Sequence, residues 1–374
     1  MIFHIQAIQD ICSKIGVAVD NADTTSAIND ALELSVGKGF LYANTTNNEY
    51  YVSCKAPIDT VETFHATVSA SMFLKLISMT TTETIEMSVE DNALVVKGNG
   101  VYNIPLIFKG SEMLTLPKIT LENKEKTFKI PTKILTSLIL YNSKEFKKGK
   151  AVRASQNMYY LDKDGAITYI AGACLNMFDL PIDDTKIMLS RKFVNLFKIL
   201  DSDEVSVIIG KDQRTDGEYQ NKMVVISDKV AIYANLNSDP NVVESVPVRG
   251  IRNRASKMYP YSTEINKDKL IQTINRFLIF AAGKLASCKF TFESDRVTIS
   301  NHEGKSHEIV ALENSEGLIS GESYVATLDL NDLKTTLESC YDDTFTLKFG
   351  DSQAIMIKRA TDNVVNIIPE ISVV

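Results

Sequence analysis

One hydrophobic pattern occurs three times along the chain, and it constrains the fold more than any other feature. The stretch VSASMFLKLISMTTTETIEMSVED (68–91) has the spacing of an amphipathic helix, a threonine-rich turn and then the alternation of a β-strand. A shift of 120 residues aligns it without a gap on MLSRKFVNLFKILDSDEVSVIIGK (188–211), and a further 140 on LDLNDLKTTLESCYDDTFTLKFGD (328–351). The equivalent apolar positions are Phe73, Phe193 and Leu333; Ile77, Phe197 and Leu337; Ile85, Val205 and Phe345; Met87, Val207 and Leu347; and Val89, Ile209 and Phe349. An acidic residue precedes each strand, namely Glu83, Asp203 and Asp343.

A second element repeats upstream of the first. FKIPTKILTSLI, from Phe128, and TEINKDKLIQTI, from Thr263, each show a strand end, a polar start and an amphipathic helix, and FHIQAIQDICSKI, from Phe3, matches them more loosely. The three starts define units of 125 and 135 residues. Solenoid repeats span about 20–50 residues, so each unit is the size of a domain.

The chain is therefore predicted to contain three tandem α+β domains, each with two helices packed on antiparallel sheet. Its 374 residues agree with two to three domains at about 100–200 residues each. The predicted boundaries are 1–122, 123–259 and 260–374. Two segments are interpreted as linkers between the domains, LTLPKITLENKEK and the basic VPVRGIRNRASKMYPYS. The second is expected to be irregular.

Composition favours a water-soluble globular protein, with 44% hydrophobic and 23% charged residues. No apolar run reaches the roughly 20 residues that cross a membrane, and MIFHIQAIQD lacks the regions of a signal peptide, so a cytoplasmic protein with no membrane partner is expected. The five cysteines are scattered without a CxxC pair, which favours isolated thiols. A net charge of −7 argues against a surface that is basic throughout, but it permits Lys and Arg to concentrate on one face.

No arrangement of residues predicts catalysis, a metal or a cofactor. His302 and His307 flank a hairpin turn in NHEGKSHE, a spacing that does not reliably bring two imidazoles to one ion. Acidic clusters at 183–184, 201–204 and 342–343 have the ligand type of magnesium, but two of them share one repeat position, which favours a structural turn. The chain contains neither GxxxxGK[ST] nor GxSxG.

Three tandem units of this kind, over the whole chain, resemble the bacterial DNA polymerase III β subunit, the sliding clamp. The resemblance rests on MIFHIQAIQDICSKI, VSASMFLKLISM, LSRKFVNLFKILDSDEVSVIIG, KDKLIQTINRFLIFAAG, ISNHEGKSHEIVAL and the ending NVVNIIPEISVV. The chain departs from the family where a Thr-Asp-Gly-His-Arg-Leu run is usual, because it reads IAGACL (170–175). This indicates a divergent clamp, such as one encoded by a phage or plasmid.

The resemblance implies a head-to-tail homodimer whose six domains form a ring with twelve helices around the hole. Such a ring encircles double-stranded DNA without reading its sequence and tethers the replicative polymerase, the clamp loader and other proteins with clamp-binding motifs. It is a non-catalytic processivity factor and needs no cofactor. The alternative is a clamp-fold interaction scaffold that no longer loads on DNA.

The cations expected to meet DNA lie on the predicted helices and in KEFKKGKAVR (144–153), where five of ten residues are basic. This run favours the clamp over the scaffold, since a scaffold has no reason to concentrate cations beside lining helices. The predicted DNA-binding residues are Lys144, Lys147, Lys148, Lys150 and Arg153 in that run, and Lys75, Lys133, Arg191, Lys192, Lys198 and Arg276 on helices.

The resemblance also implies an apolar cleft for partner peptides on the third domain and its junction with the second. The residues carried over to this cleft are Ile170, Gly172, Leu175, Ile367, Ile368 and Pro369. The alternative for Leu175 and Ile367 is that they are strand residues of the core.

Overall fold

The structure of the protein is a computed structural model. The described residues are 1–19, 28–47, 49–58, 62–142, 155, 158–169, 172–214, 216–237, 239–280, 286–338, 342–358 and 363–371. The chain divides into two compact units, Met1–Thr136 with Lys192–Ser238, and Ser137–Arg191 with Asp239–Val374. This division does not follow the three predicted domain boundaries, which remain a prediction. No helix within the described residues is both long enough and apolar enough to span a bilayer.

Helices and antiparallel strands alternate along the chain, so the fold class is α+β as predicted. The helices are α1 (Ile5–Ile15), α2 (Ala70–Ser78), α3 (Thr132–Asn142), α4 (Arg191–Asn195), α5 (Pro240–Glu244), α6 (Val248–Ala255), α7 (Lys267–Ile279) and α8 (Leu330–Glu338), and a 3-10 turn (Leu196–Ile199) follows α4. The strands are β1 (Ile2–His4), β2 (Ala31–Gly37), β3 (Phe40–Thr46), β4 (Tyr50–Pro57), β5 (Phe64–Ser69), β6 (Thr84–Glu90), β7 (Ala93–Lys97), β8 (Val101–Pro105), β9 (Phe108–Lys109), β10 (Glu112–Met113), β11 (Lys124–Pro131), β12 (Met158–Asp162), β13 (Gly165–Tyr169), β14 (Ala173–Asn176), β15 (Ile187–Ser190), β16 (Glu204–Gln213), β17 (Tyr219–Ile226), β18 (Val230–Asn235), β19 (Tyr261–Asn266), β20 (Ser287–Phe292), β21 (Arg296–Ser300), β22 (His307–Ala311), β23 (Glu313–Glu316), β24 (Tyr324–Asp329), β25 (Thr344–Phe349), β26 (Ala354–Lys358) and β27 (Val364–Pro369).

The first unit contains a four-stranded sheet of order β1-β6-β7-β8 and an eight-stranded sheet of order β11-β16-β17-β18-β4-β3-β2-β5, with the small pair β9–β10. The eight-stranded sheet joins strands from distant parts of the sequence, because β18 pairs with β4. Helices α1 and α2 pack against each other in this unit.

The second unit contains a nine-stranded sheet of order β15-β12-β13-β14-β27-β26-β25-β19-β23 and a four-stranded sheet of order β22-β21-β20-β24. Helices α7 and α8 pack against each other here, as α1 and α2 do in the first unit. A core of Phe290, Phe292, Phe345 and Phe349 with aliphatic residues from both helices and both sheets fills the space between them.

The strand pair that begins each predicted repeat has the same register in all three copies. Strands β1, β11 and β19 each end where a helix begins, and each pairs antiparallel with the strand that follows the second helix of its repeat. The equivalent pairs are Phe3 with Ile85, Ile130 with Val205, and Ile265 with Phe345. All six side chains are buried. The repeat predicted from the sequence is thus confirmed at the level of single residue pairs.

One backbone hydrogen bond recurs at the start of each of these helices. The N–H groups of Ile5, Thr132 and Lys267 donate to the carbonyls of Glu83, Asp203 and Asp343, over 3.0, 2.8 and 2.8 Å. The first N–H groups of a helix have no partner within the helix, so this bond satisfies one of them. The acidic position before each strand is therefore a structural turn, as predicted for the clusters at 201–204 and 342–343.

The second helix of each repeat buries the residues that the alignment made equivalent. Phe73, Phe193 and Leu333 are buried, and so are Ile77, Phe197 and Leu337 one turn later. Of the strand positions, only Val89 departs from the pattern, since it is 40% exposed whereas Ile209 and Phe349 are buried.

The first interpreted linker is fastened to the first unit. Leu114 and Leu116 are buried, and the N–H of Leu116 donates to the buried Glu33 carboxylate over 2.9 Å. Further along, the N–H groups of Glu122 and Asn123 donate to the Asp212 carboxylate. Burial alone would raise the pKa of Asp212, but these bonds and the Lys222 ammonium lower it to about 2.

The second interpreted linker is not irregular, and this part of the prediction is wrong. Residues 240–255 form α5 and α6, and Ile251 of α6 is buried in a core with Tyr160, Leu175, Val365 and Ile367. The three arginines of this stretch suggested a polar connection, but the neighbouring apolar residues Val246, Val248 and Ile251 pack against the sheet.

Candidate functional site

The candidate site lies in the second unit, where two strands from distant parts of the chain join in the nine-stranded sheet. Strand β14 pairs antiparallel with β27, and Ala173 lies opposite Ile367. Helix α6 packs on this part of the sheet and contacts β27. A helix set against a continuous sheet leaves a cleft along its side.

This cleft is a cavity of about 430 Å³ with a mainly apolar lining. The sheet contributes one wall and the start of α6 contributes the other. The lining residues are Tyr169, Gly172, Ala173, Pro247, Gly250, Ile251, Arg254, Gln353, Ala354, Ile367 and Pro369. A preformed apolar cavity with a few polar groups is the usual form of a site for a small ligand or a peptide side chain.

Gly172 allows the two strands to approach at the rim of the cleft. A Cβ atom at this position would lie 2.3 Å from the carbonyl oxygen of Ile367, closer than real contacts permit. By contrast, a Cβ atom on Gly250, on the wall formed by α6, would meet nothing within 4 Å. The two glycines therefore have different roles, although both line the cavity.

Three of the six residues predicted to line the cleft do so in the structure, namely Gly172, Ile367 and Pro369. Leu175 is buried in the same core cluster as Ile367 and lines a neighbouring cavity of about 260 Å³. Ile368 points to the opposite face of β27 and packs in the core with Phe349 and Ile355, because successive side chains of a strand alternate between faces. Ile170 lies outside the described residues.

The wall formed by α6 was missed by sequence reasoning. Its position is held by ion pairs, since Arg254 donates to Asp351 and Gln353 while Arg252 donates to Asp162 and Asp164. Lys257 also reaches Asp351 over 3.1 Å. The Asp351 carboxylate is almost inaccessible, yet backbone N–H groups and these cations lower its pKa against the effect of burial.

A chain of hydroxyl groups supports the end of the cleft at Tyr169. The Tyr169 hydroxyl and the buried Ser155 hydroxyl are 2.7 Å apart, and the Ser155 and Ser245 hydroxyls are also 2.7 Å apart. Ser245 is bonded in turn to the carbonyl of Val242, beside α5. This network fixes the tyrosine ring that borders the cavity.

The predicted DNA-binding cations fall into three groups. Lys75 on α2, Lys133 on α3, Lys192 on α4 and Lys198 in the 3-10 turn are exposed, and Arg191 is half-buried. Arg276 is paired, since its Nε and terminal nitrogen donate to both Glu308 oxygens over 2.8 and 2.6 Å. Lys144, Lys147, Lys148, Lys150 and Arg153 lie outside the described residues.

The histidines and acidic residues were also compared with the geometry of a metal site. The parts of the chain that the structure describes contain no cluster of three or more His, Cys, Asp or Glu side chains that would hold a metal ion. The hairpin predicted at Glu303-Gly304 is present, with Ser300 opposite His307, and His302 is bonded to the Ser287 hydroxyl over 2.8 Å.

Solved structures of bacterial sliding clamps match the chain over its full length. The DNA polymerase III β subunit of Pseudomonas aeruginosa has a TM-score of 0.78 at 14% identity, with 100% of both chains covered. The β subunit of Thermotoga maritima has a TM-score of 0.76 at 16% identity, and that of Borrelia burgdorferi has 0.74 at 14%, each covering 100% of this chain and 99% of the other. No protein-family model matches the chain, and no curated protein matches it by sequence.

The protein therefore has the sliding-clamp fold over its whole length. The resemblance read from the sequence is confirmed for the fold. The identities of 14–16% show that the sequence has diverged far from the clamps it matches.

The two glycines of the cleft give a test of its geometry. We expect Gly172→Ala to lower the free energy of unfolding by about 1–3 kcal/mol, since the new methyl group overlaps the Ile367 carbonyl. Gly250→Ala should raise it by about 0.5–1 kcal/mol, because alanine stabilises an exposed helical position relative to glycine. Urea unfolding of both variants measures the two effects. A neutral Gly172→Ala would contradict the close strand approach.

Proposed function

We propose that the protein is a DNA sliding clamp, a homodimeric ring that encircles duplex DNA and tethers a replicative polymerase and other DNA-processing proteins. It acts in the cytoplasm of a bacterial or phage-infected cell as a non-catalytic processivity factor without a cofactor. The observation that carries the proposal is the strand–helix unit that occurs three times with one register, in a chain that matches whole clamps from end to end.

The proposed dimer joins a sheet edge of one copy to a sheet edge of the other. Strand β8 lies at one edge of its four-stranded sheet, and β22 lies at one edge of the sheet in the second unit. Both edges carry exposed apolar side chains, with Val101 67%, Tyr102 41% and Ile309 61% exposed. Open apolar edges favour association, and head-to-tail pairing of β8 with β22 of a second copy closes a two-fold ring.

A charged side chain introduced on β22 tests whether this edge forms the dimer interface. We expect the wild type to sediment as a dimer at micromolar concentration and Ile309→Asp to sediment as a monomer, because an unpaired carboxylate would be buried at the interface. Val325→Asp is the matched control, since Val325 is 48% exposed on β24 at the opposite edge of the same sheet. A wild-type monomer, or an Ile309→Asp dimer as stable as the wild type, would contradict the proposed ring.

DNA contact is proposed through cations on the helices and in the 144–153 run. Lys75, Lys133 and Lys198 are exposed. Lys75 lies on α2 of the first repeat, and Lys133 on α3 and Lys198 in the 3-10 turn belong to the second repeat. Lysine contacts to phosphates attract DNA without reading its sequence and weaken as salt increases. Arg276 contributes less, because its charge is already paired with Glu308.

We expect the triple variant Lys75→Glu, Lys133→Glu and Lys198→Glu to bind duplex DNA at least about tenfold more weakly, with a smaller salt dependence and lower polymerase processivity. The control reverses three exposed lysines on strands and turns, Lys109, Lys163 and Lys289, which changes net charge by the same amount. An equal loss in both variants would show that overall charge, and not the helix surface, attracts DNA.

Partner binding is proposed at the 430 Å³ cleft beside α6. The lining is apolar enough to bury one or two large side chains of a short peptide, which is how a few residues supply most of the affinity in such sites. Ala173 and Cys174 stand where the family usually has His and Arg, and Cys174 is buried. The fitting peptide is therefore expected to differ from those of other clamps.

A larger side chain in the cleft should block peptide binding without preventing dimerisation. We expect Gly250→Leu to weaken binding of a fluorescent peptide from the tail of the cognate polymerase by at least about tenfold, while the dimer persists. This change tests the site more sharply than truncation after Ile367, which would also remove the buried Ile368. If Gly250→Leu binds the peptide with the same affinity as the wild type, the peptide does not bind in this cleft.

The alternative is a clamp-fold scaffold that binds proteins and does not load on DNA. It is supported by two ion pairs, that of Arg276 with Glu308 and that of Lys14 with Asp201, the latter over 2.8 Å. These pairs neutralise two helix cations that could otherwise contact phosphates. A wild-type protein that dimerises and binds the peptide, but shows no salt-dependent affinity for duplex DNA, would identify this function.

A further inference from the structure

A second cavity, of about 770 Å³, lies on one face of the eight-stranded sheet in the first unit. Its floor is formed by β2, β3, β4 and β18. Residues 118–121 form one wall, and the turn between β17 and β18 forms another. We call it the lysine groove, because Lys38, Lys55, Lys118 and Lys229 all line it.

The strand register sets the lysines side by side. Ser35 pairs with Tyr42 and Tyr42 with Lys55, and the N–H of Lys55 donates to the carbonyl of Lys229 over 2.8 Å. These residues form one row across adjacent strands, which are spaced about 4.8 Å apart. Lys38 adds a charge from the turn between β2 and β3, so cations converge on the groove from three sides.

These lysines lack the carboxylate partners that other lysines of this unit have. Among the described residues, no carboxylate lies within 4.0 Å of the Lys38, Lys55 or Lys118 ammonium, and Lys229 reaches Asp10 only at 4.0 Å. By comparison, Lys211 and Lys222 pair with Glu125 and Asp212 over 2.9 and 2.8 Å.

The acidic groups near the groove are bonded to other residues, and Asp10, which lies 4.0 Å from Lys229, is also 3.5 Å from Lys14. The buried Glu33 accepts from the N–H of Leu116 and the side-chain amide of Asn44. Asp201 accepts from Lys14 and Ser227, and from the N–H of Lys229. The groove is thus positively charged in a chain whose net charge is −7, which makes it complementary to an anion.

One wall of the groove is held by hydrogen bonds on both sides. Its wall at residues 118–121 is held by Leu116 on one side and by Asp212 on the other, and Lys222 donates to the carbonyl of Thr120 over 2.7 Å. A preformed site avoids the entropy loss of ordering a loop on binding.

The aromatic rings of the groove favour a peptide over a single-stranded nucleic acid. Tyr51 is buried and packs edge-on against Tyr233 at 6.0 Å between ring centroids, and Tyr42 packs against Phe40, outside the groove, at 6.2 Å. Nucleic-acid strands bind such grooves by stacking bases on free aromatic faces, whereas Tyr51 is buried and the other two rings are partly buried. Ile119, Leu121 and Ile226 add apolar contacts beside the lysines, which suit alternating acidic and apolar side chains.

We propose that the lysine groove binds an extended acidic segment of a partner protein, in which Asp or Glu alternates with apolar residues. The carboxylates meet Lys55, Lys118 and Lys229, and the apolar side chains pack on Ile119 and Ile226. This interaction surface is separate from the peptide cleft and does not require that the protein encircles DNA.

The test uses the full-length protein and a fluorescein-labelled peptide of alternating Asp and Leu, followed by fluorescence anisotropy. We expect Lys55→Glu with Lys118→Glu to weaken its binding at least about tenfold, since two attractive contacts become repulsive. Lys163→Glu with Lys289→Glu, on exposed lysines outside the groove, changes net charge equally and should leave the affinity unchanged. Lys55→Gln with Lys118→Gln should give a smaller loss, and thermal unfolding checks that each variant is folded.

Several results would overturn the proposal. They are an equal loss in both charge-reversed variants, the absence of binding by the wild type, or a loss of binding in Gly250→Leu, which would assign the peptide to the cleft. Oligothymidylate of the same charge is the competing probe. If oligothymidylate binds more tightly than the peptide, and the Lys55→Glu and Lys118→Glu variant loses this binding, the ligand of the groove is a single-stranded nucleic acid and not an acidic segment.

Discussion

The architecture depends on one antiparallel strand pair that is formed three times. In each copy a strand ends, the next residue begins a helix, and the N–H of that residue is bonded to the turn before the partner strand, as in Ile5 with Glu83. This bond fixes the helix start to the strand register. A slip of one residue would turn every side chain of the strand to its other face. The burial of Phe3 against Ile85, and of both helices behind them, therefore depends on a contact that involves only backbone atoms.

The cleft follows from the same sheet geometry. Because β14 joins β27 in one continuous sheet, its side chains and those of β27 share a surface on which α6 can lie. The close approach of Gly172 to Ile367 sets the rim, and the ion pairs of Arg252 and Arg254 hold the helix at its distance from the sheet. Ion pairs in which one partner stays partly exposed, as both arginines do, add little to stability. The position of α6 beside the cleft is thus held both by its apolar contacts with the sheet and by these ion pairs.

The sequence predicted what depends on local periodicity. The threefold repeat, its buried positions and the turn at each acidic residue all follow from side-chain spacing, and that spacing alone aligns Phe73 with Phe193 and Leu333, which are all buried. It did not predict contacts between distant segments. The helix at 248–255 has too few apolar residues to stand out, and the pairing of Arg276 with Glu308 joins residues 32 positions apart. Ile368 was assigned to the cleft with Ile367, although adjacent strand residues face opposite sides.

Ion pairing neutralises some cations and leaves others exposed, on strands and on helices alike. Several lysines on strands are neutralised across the sheet, as in Lys97 with Glu86 and Lys129 with Glu204, over 3.3 and 3.2 Å. The helix lysine Lys75 is exposed, and among the described residues it has no carboxylate within 4.0 Å. An acidic chain can attract a polyanion only where its cations escape such pairing, because a paired lysine presents no net charge at the distance of a phosphate. Local pairing, more than the overall charge of −7, therefore decides where this chain can attract an anion.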